Sequence, residues 1–350
     1  MGVGSSYNQG GLSYLAIGRE TAYGTYVTGT SFFNFMSASM KAMKGTKILE
    51  EIQTSRTNSN YIQEGKVIEG EVEGIFNPRN LACNHFLHNA FGGGPVTSAT
   101  ATGDTAGAVS FTHQVDIANF AATYSSLSMN FRKGETTTGE IFEYTGLRVN
   151  ELTLKAELNE PLIATFALIG KDVTLSSNDI ASKADTTTSV QTPLSFVNGR
   201  LSVETTVAAL TSTSYWSIQA VELGINNNFN PDAGRRLGSD VLETLPQGMA
   251  QFTFNCTIRF DTSTAFDAMM AGTRLAAQLE FQGPTLSGSV LREGIKFTLP
   301  FVLINDAGDP EVGSPGDPLT SEVSFAVLRD PTTSGYALRA LVLNATANYT

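Results

Sequence analysis

The sequence has few of the residues that most often build catalytic and metal sites. It contains three histidines and two cysteines among 350 residues, and only 16% of its residues are charged. It has no Gly-x-Ser-x-Gly motif, which argues against a nucleophilic triad. No apolar run approaches the roughly 20 residues of a membrane helix, and the start, MGVGSSYNQGG, does not resemble a secretion signal. We therefore predict no enzyme, no cofactor, no membrane contact and no secretion.

The scarcity of basic residues limits the partners. The formal net charge is -11, whereas tight binding to nucleic acid or to an anionic membrane depends on Lys and Arg. Cys83 and Cys256 lie on apolar stripes, so we predict reduced core residues and folding in a reducing compartment.

Two groups of residues could in principle hold a metal. His85 and His88 are three apart, with Cys83 nearby, but histidines on a short half-buried helix are common without a metal. Four carboxylates could bind calcium, although Pro/Gly turns explain their loop better: Asp306, Asp309, Glu311 and Asp317. We predict no metal site.

The most strongly patterned stretch is residues 65–91, GKVIEGEVEGIFNPRNLACNHFLHNAF. Over residues 66–76, apolar Ile68, Val72 and Phe76 alternate with acidic side chains, which predicts a half-buried strand with a carboxylate face. Asn77-Pro78 then predicts the N-cap of a helix that residues 92–94, all glycine, terminate.

The same order recurs later in the chain. Residues 248–272 predict a strand whose polar face alternates with phenylalanine, followed by a helix capped by Asp261 or Thr262. Gly146-Leu-Arg-Val is echoed at Gly294, and the segment at Phe166 is echoed at Phe325. Four landmarks in one order predict an internal duplication.

The duplication predicts the domain organisation. We expect an extended arm over residues 1–30, a first module over 31–175, a linker over 176–193 and a second module over 194–350. Residues 92–122 are of low complexity and have no counterpart in the second half. They are predicted to be a surface insertion.

The order of these features resembles the tail tube proteins of long-tailed bacteriophages, specifically members with two tube modules in one chain. Three segments carry the resemblance: GRETAYGT at 18–25, residues 70–91, and the closing FAVLRD at 325–330. The resemblance implies a mainly β fold with two tandem β-sandwich or half-barrel modules, each with one short flanking helix.

The resemblance also implies a function. The chain would be the major tail tube protein of a virion, polymerised as stacked rings around a lumen that conducts the genome into the host. It would be assembled in the host bacterial cytoplasm, with partners such as the tape measure and terminator proteins, and double-stranded DNA would pass without specific binding. A β-rich surface or adhesion protein is the alternative, favoured by the Thr/Ser content.

Particular residues are assigned to these surfaces. The polar faces of the two corresponding strands are predicted to face the lumen: Glu69, Glu71, Glu73, Gln251, Thr253, Asn255 and Thr257. The arm and two polar flaps, residues 54–64 and 226–247, are predicted to contact neighbouring rings through Arg19, Tyr23, Tyr61, Arg235 and Arg236. The duplication and the usual six modules of such rings together predict a trimer with pseudo-sixfold symmetry.

Overall fold

The computed structural model describes twelve parts of the chain: residues 13–52, 57–101, 110–117, 125–134, 141–176, 180, 193–210, 215–308, 310, 318–331, 335–347 and 349. The predicted linker at 176–193 and the calcium-type carboxylates Asp309, Glu311 and Asp317 lie mostly or wholly outside these residues. The fold is mainly β and its strands pair antiparallel, as the sequence predicts.

The strands of the described residues are β1 (Tyr14–Arg19), β2 (Ser31–Phe33), β3 (Phe35–Ala38), β4 (Lys41–Ile48), β5 (Tyr61–Ile75), β6 (Thr97–Thr100), β7 (Phe111–Asp116), β8 (Leu127–Arg132), β9 (Ile141–Glu157), β10 (Ile163–Gly170), β11 (Asp172–Ser176), β12 (Gly199–Glu204), β13 (Ile218–Asn226), β14 (Gln251–Arg259), β15 (Leu275–Thr285), β16 (Arg292–Ala307), β17 (Thr320–Val327) and β18 (Arg339–Asn344). The α-helices are α1 (Leu81–Ala90) and α2 (Thr264–Met270).

Eight strands form one continuous antiparallel sheet, which we call the central sheet. Its order is β4, β5, β10, β9, β13, β14, β17, β16. Each half of the chain supplies a hairpin, then a strand beside it, then a long strand: β4–β5, β10 and β9 in the first half, and β13–β14, β17 and β16 in the second. The pair β9–β13 joins the two sets.

The two ends of the central sheet are open edges in the described part of the chain. At one end, β3 and β4 pair only with β5. At the other end, residues 303–307 of β16 pair with no strand other than β17, and Ala307 N donates to Met269 Sδ of α2 at 3.2 Å. Unpaired strand edges present free backbone donors and acceptors, which other strands can bind.

One face of the central sheet is buried. Alternate side chains such as Val72, Phe166, Leu223 and Phe254 are at most 1% exposed and belong to one core shared by both halves. β1, β2, β8, β11 and the first part of β9 form a second layer. α1 packs against this core, where Phe86 stacks on Phe166 with ring centroids 4.7 Å apart.

The caps of both helices differ from the predicted ones. α1 is capped by Asn80, whose Oδ1 accepts from the backbone nitrogens of Ala82 and Cys83, whereas Asn77 accepts from Arg79 N in the preceding turn. α2 is capped at Ser263 rather than Asp261 or Thr262. A chain with several polar residues before a helix offers several candidate caps, and the local turn selects one.

The insertion predicted at 92–122 is not only a surface excursion. Its strand β7 pairs with β18 of the second half, and His113 and Val115 are fully buried. His113 is held by Ser98 Oγ at 2.8 Å, Asn344 Oδ1 at 3.1 Å and Thr346 O at 2.8 Å. The insertion therefore ties the end of the chain to the first half.

The predicted arm at 1–30 also contains a core strand. β1 lies between β2 and β8, and Leu15, Ala16 and Ile17 are at most 1% exposed. Its six residues lack alternation because they are covered on both faces, so the sequence pattern gave no strand signal.

Candidate functional site

The candidate site is the face of the central sheet that does not pack on the core. On β5, Glu69 and Glu71 are exposed and Glu73 is half-buried, while the intervening Ile68 and Val72 are buried. The alternation predicted from the sequence therefore places the three carboxylates together on the open side of the strand.

The second predicted set lies on the same face. Gln251, Thr253 and Asn255 on β14 are exposed, and Thr257 is half-buried. A row of directly paired residues crosses five strands from Glu73 to Thr253 by way of Thr165, Thr153 and Gly224. The structure thus unites both sets on one continuous surface, which we call the polar face.

The polar face carries more acid than the two predicted sets supply. A groove of about 390 Å³ is lined by four carboxylates and one lysine: Glu157, Glu222, Asp306, Glu322 and Lys155. Lys155 bonds Glu157 at 2.6 Å, and this contact raises the pKa of the lysine. Glu222 and Glu322 were missed because their strands lack a clean acidic ladder, although both occupy positions alternating with buried residues.

A cation borders the acidic ladder at the open edge. Lys41 on β4 is exposed and lies directly opposite Glu69. Next to it, Ser39 Oγ accepts from Glu71 N at 3.2 Å. The edge of the central sheet therefore presents a lysine and a serine beside the carboxylates.

The residues predicted to contact other rings occupy different places. Arg19 and Tyr61 are exposed. Tyr23 is half-buried beneath Arg148, whose guanidinium carbon lies 4.8 Å from the ring centroid; burial raises the pKa of Tyr23 to about 12. These positions do not test the inter-ring role, which stays a prediction for all three residues.

The two arginines of the second flap differ in their surroundings. Arg235 donates to Lys66 O at 3.1 Å and so holds the flap against the β4–β5 hairpin. Asp240 of the same flap bonds Lys44 at 3.1 Å. Arg236 is exposed and pairs with Glu243 at 2.8 Å. The flap is therefore folded onto the hairpin within one chain.

Glu20, in the GRETAYGT segment, is a structural residue that the sequence reasoning did not single out. Its buried carboxylate accepts four hydrogen bonds of 2.6–2.8 Å, from Gly24 N, Ser126 Oγ, Ser128 Oγ and Gly146 N. These bonds satisfy the buried carboxylate oxygens, and they hold the GRETAYGT segment against β8 and β9.

The histidine and cysteine group does not have the surroundings of a metal site. His88 Nε2 is bonded to Gly94 O at 2.7 Å, and burial lowers the pKa of His85 to about 4. Burial also raises the pKa of Cys83 to about 12, which disfavours the thiolate that binds metals. Within the described ranges, no group of three potential ligands is close enough to hold an ion.

Comparison with known families identifies what this sheet belongs to. A sequence profile of the family described as phage tail tube protein matches residues 10–327. The chain belongs to the phage tail tube protein family. A tail tube protein is a structural component of a virion tail, and this membership favours a non-enzymatic role.

Other comparisons add less. This tail tube protein is similar to a crystal structure of an Hcp protein, with 13% identity, a TM-score of 0.26, and coverage of 37% of this chain and 87% of the other. No curated protein sequence matches it. In the described part of the tail tube protein, no helix is long and apolar enough to cross a bilayer.

Proposed function

We propose that this protein is the major tail tube subunit, which polymerises as stacked rings around a lumen that conducts the phage genome into the host. The observation that carries this proposal is the polar face, an exposed acidic surface continuous across both halves of the chain. A sheet with one wet face and one buried face suits the wall of a water-filled bore.

The charge of the polar face suits passage of DNA. Basic residues on the wall of the bore would bind the phosphates of DNA and would hold the DNA at fixed points along the bore. Carboxylates repel phosphates, and salt limits that repulsion to about 8 Å at physiological ionic strength. Glu69, Glu71 and Glu73 in the first half, with Glu222 and Glu322 in the second, would therefore let the polymer slide without specific binding.

The pair β9–β13 serves as a template for closing the ring. Within the chain, the long strand of the first half pairs with the hairpin of the second half. The corresponding strands at the two ends, β16 and β3–β4, are the open edges. Pairing β16 of one chain with β3–β4 of the next repeats the internal junction and removes both edges.

The template also gives a register. Phe166 and Phe325 occupy matching places beside β5 and β14. When the strand pairing is followed from these two residues to the long strands, Asp306 of β16 takes the place of Thr153 of β9. Thr153 lies opposite Gly224 in the internal junction.

On the hairpin side, Ser39 corresponds to Gly224. Ser39 bonds to Glu71 in the first half, and Gly224 pairs with Thr253, which holds the matching place in the second half. Ser39 of one chain would thus lie opposite Asp306 of the next chain. Lys41 would lie two residues along the same face, within reach of that carboxylate.

Three chains would then place six sets of strands around the bore, each made of a hairpin, the strand beside it and a long strand. First and second halves of the chains would alternate. The number three rests on the six modules that rings of such tubes usually contain, and the repeated strand order and the two complementary edges support the alternation of the halves. The ring would be assembled in the host bacterial cytoplasm and would adjoin other tail proteins, such as the tape measure and terminator proteins.

Cryo-electron microscopy of the purified protein tests the proposal. We expect hollow tubes with three chains per ring and with Glu69, Glu71 and Glu73 lining the bore. Rings with true sixfold symmetry would overturn the trimer while leaving the tube. A protein that forms no tubes or rings at any concentration, or tubes with the polar face outside, would overturn the function itself.

A further inference from the structure

A cleft of about 580 Å³ lies where separate parts of the chain meet. It is lined by the turn after β1 (residues 19–23), by Arg148 of β9 and by the end of the second flap (residues 245–247), and Gly93 and residues 125–126 complete the lining. Its volume falls within the range of about 300–1,000 Å³ that is usual for small-molecule sites. None of these residues lines the acidic groove of the polar face, so the cleft is a separate feature.

The cleft is positively charged although the chain as a whole is acidic. Arg19 and Arg148 line it, and Lys171 lies close by, with its Nζ 5.4 Å from the ring centroid of Tyr23. Among the described lining residues, Glu20 supplies the single carboxylate. Its oxygens already accept four hydrogen bonds from the protein. Three cations therefore surround one occupied anion, and the excess positive charge would attract a second anion.

Arg19 is the cation that is best able to hold a ligand. It is the last residue of β1, and its side chain is exposed. Within the described ranges, no carboxylate and no carbonyl oxygen accepts from its guanidinium. Burial, His88 and Arg19 together lower the pKa of His85 to about 4, so that histidine is neutral at pH 7 and adds no charge. The planar fork of Arg19 is thus available for the paired oxygens of a carboxylate or a phosphate.

Arg148 is held in place by the protein itself. Its Nη1 donates to Leu245 O of the flap at 2.8 Å. Its guanidinium carbon lies 4.8 Å from the ring centroid of Tyr23 and 5.9 Å from that of Phe229. A cation fixed in this way loses little side-chain freedom when a ligand binds, which favours binding.

Two hydroxyl groups among the lining residues have no hydrogen-bond partner in the described structure. They belong to Tyr23 and Ser125, and both oxygens are buried. Buried polar groups without a partner are rare in proteins, and an ion or a water often explains them. Ser125 Oγ can turn towards the cleft by rotation about χ1. The lining therefore contains a donor that the protein leaves unused.

The size and the lining of the cleft indicate which kind of anion fits. A water molecule takes about 30 Å³ in the liquid, so a single phosphate or carboxylate group would leave most of the cleft empty. Ala22, Leu245 and Pro246 place apolar groups in the same cleft. Leu245 is backed by a small apolar cluster with Phe229 and Leu242. These features favour an anionic group carried on a compact organic body.

We propose that this cleft binds a small organic anion, whose phosphate or carboxylate group is held by Arg19 and Arg148 and whose body lies against Leu245 and Pro246. The site is built within one chain from residues of both halves. A bound anion would join the turn after β1 to the end of the second flap. Because the unfolded chain lacks the site, the ligand should stabilise the folded chain.

Calorimetric titration of the purified full chain tests the inference, in a buffer of low salt without phosphate or carboxylate. The probes are glycerol 3-phosphate, succinate, inorganic phosphate and glycerol. We expect saturable binding of one anion per chain for glycerol 3-phosphate or succinate, and the tighter of the two identifies the anionic group. Inorganic phosphate should bind at least tenfold more weakly, and glycerol should not bind. Absence of saturable binding by all three anions at millimolar concentrations would overturn the inference.

Two arginine variants test the place of binding. Arg19→Gln changes an exposed side chain, so the variant should fold, and it should weaken binding about tenfold or more because a charged hydrogen-bond donor is lost. Arg259→Gln is the matched control, since Arg259 is exposed at the end of β14 away from the flap and does not line the cleft. It should bind as the wild type does. Unchanged binding by Arg19→Gln, or equal losses in both variants, would contradict the site.

Thermal unfolding gives a second measurement. The anion that binds should raise the Tm of the wild type and of Arg259→Gln, but not that of Arg19→Gln. An equal rise in all three proteins would show a general effect of salt and overturn the inference. Neither measurement requires assembled tubes, so a negative result leaves the proposed tail tube function in place, and a chain that forms no tubes leaves this inference in place.

Discussion

Leu223 of β13 lies directly opposite Leu154 of β9, and both side chains are almost fully buried. Through this pair the second half of the chain continues the sheet of the first half without a break. Beside it, Lys155 lies opposite Glu222 on the polar face. The junction therefore has an apolar side and a charged side, like the strands on either flank.

The proposed ring junction predicts a specific crosslink. Ser39→Cys with Asp306→Cys should form a disulfide between chains, because directly opposed residues lie about 4.5–5.5 Å apart, within disulfide range. The closed covalent product should be a trimer on a non-reducing gel. Ser37→Cys with Asp306→Cys is the control, offset by two residues and about 7–8 Å away. Equal crosslinking by both pairs would refute the register.

The charge of the polar face predicts how tubes treat DNA. Replacing Glu69, Glu71 and Glu73 by lysine should leave folding and assembly intact, since these side chains do not enter the core. The variant tubes should retain double-stranded DNA in co-sedimentation at low salt and release it as salt rises. A triple Glu→Gln variant separates loss of repulsion from new attraction. DNA retention by wild-type tubes would count against an acidic bore.

The end of the chain predicts a stabilising contact between the halves. Tyr349 is 2% exposed and lies 5.0 Å from the ring of His113. Tyr349→Ala should lower the free energy of unfolding by about 3–5 kcal/mol, as for other buried aromatic truncations. Tyr349→Phe should cost little, because the hydroxyl has no partner in the described residues. Urea denaturation measures both, and equal losses would show that the hydroxyl matters.

The buried histidines of α1 predict acid sensitivity. Burial, His88 and Arg19 lower the pKa of His85 to about 4 from 6.5. As pH falls, the unfolded chain protonates this histidine before the folded chain does. The contribution of His85 to the free energy of unfolding should therefore be fully present above pH 6.5 and be lost as pH drops towards 4, by on the order of 3 kcal/mol. His85→Gln should flatten this slope in urea titrations between pH 7 and 4.5. An unchanged slope would assign the sensitivity to other groups.

The second flap predicts unequal effects of two neighbouring arginines. Arg235→Ala removes a partly buried donor to Lys66 O and should cost about 1–2 kcal/mol in thermal unfolding. Arg236→Ala breaks only an exposed pair with Glu243 and should cost less than about 0.5 kcal/mol. Equal effects would mean that the flap does not brace the hairpin.

The sequence alone determined the faces of the strands. Alternation over residues 66–76 and 251–260 is local, and side chains in a strand must point alternately to two sides, so Val72 and Phe254 had to be buried opposite the glutamates and polar residues. The order of repeated landmarks also led to the tail tube family. One of the repeated landmarks, the glycine at 146 and 294, does not hold equivalent places in the two halves. Leu152, which pairs with Phe166, follows Gly146 by six residues, whereas its counterpart Ile304 follows Gly294 by ten.

Only the tertiary structure decided which strands meet. The pairing of β9 with β13, and of β7 with β18, joins segments about 70 and 230 residues apart, and no local pattern encodes such partners. The burial of His113, and the arrival of Glu222 and Glu322 on the polar face, follow from those pairings. Strand alternation is fixed by the geometry of a single strand, but pairing is fixed by the fit of two distant surfaces.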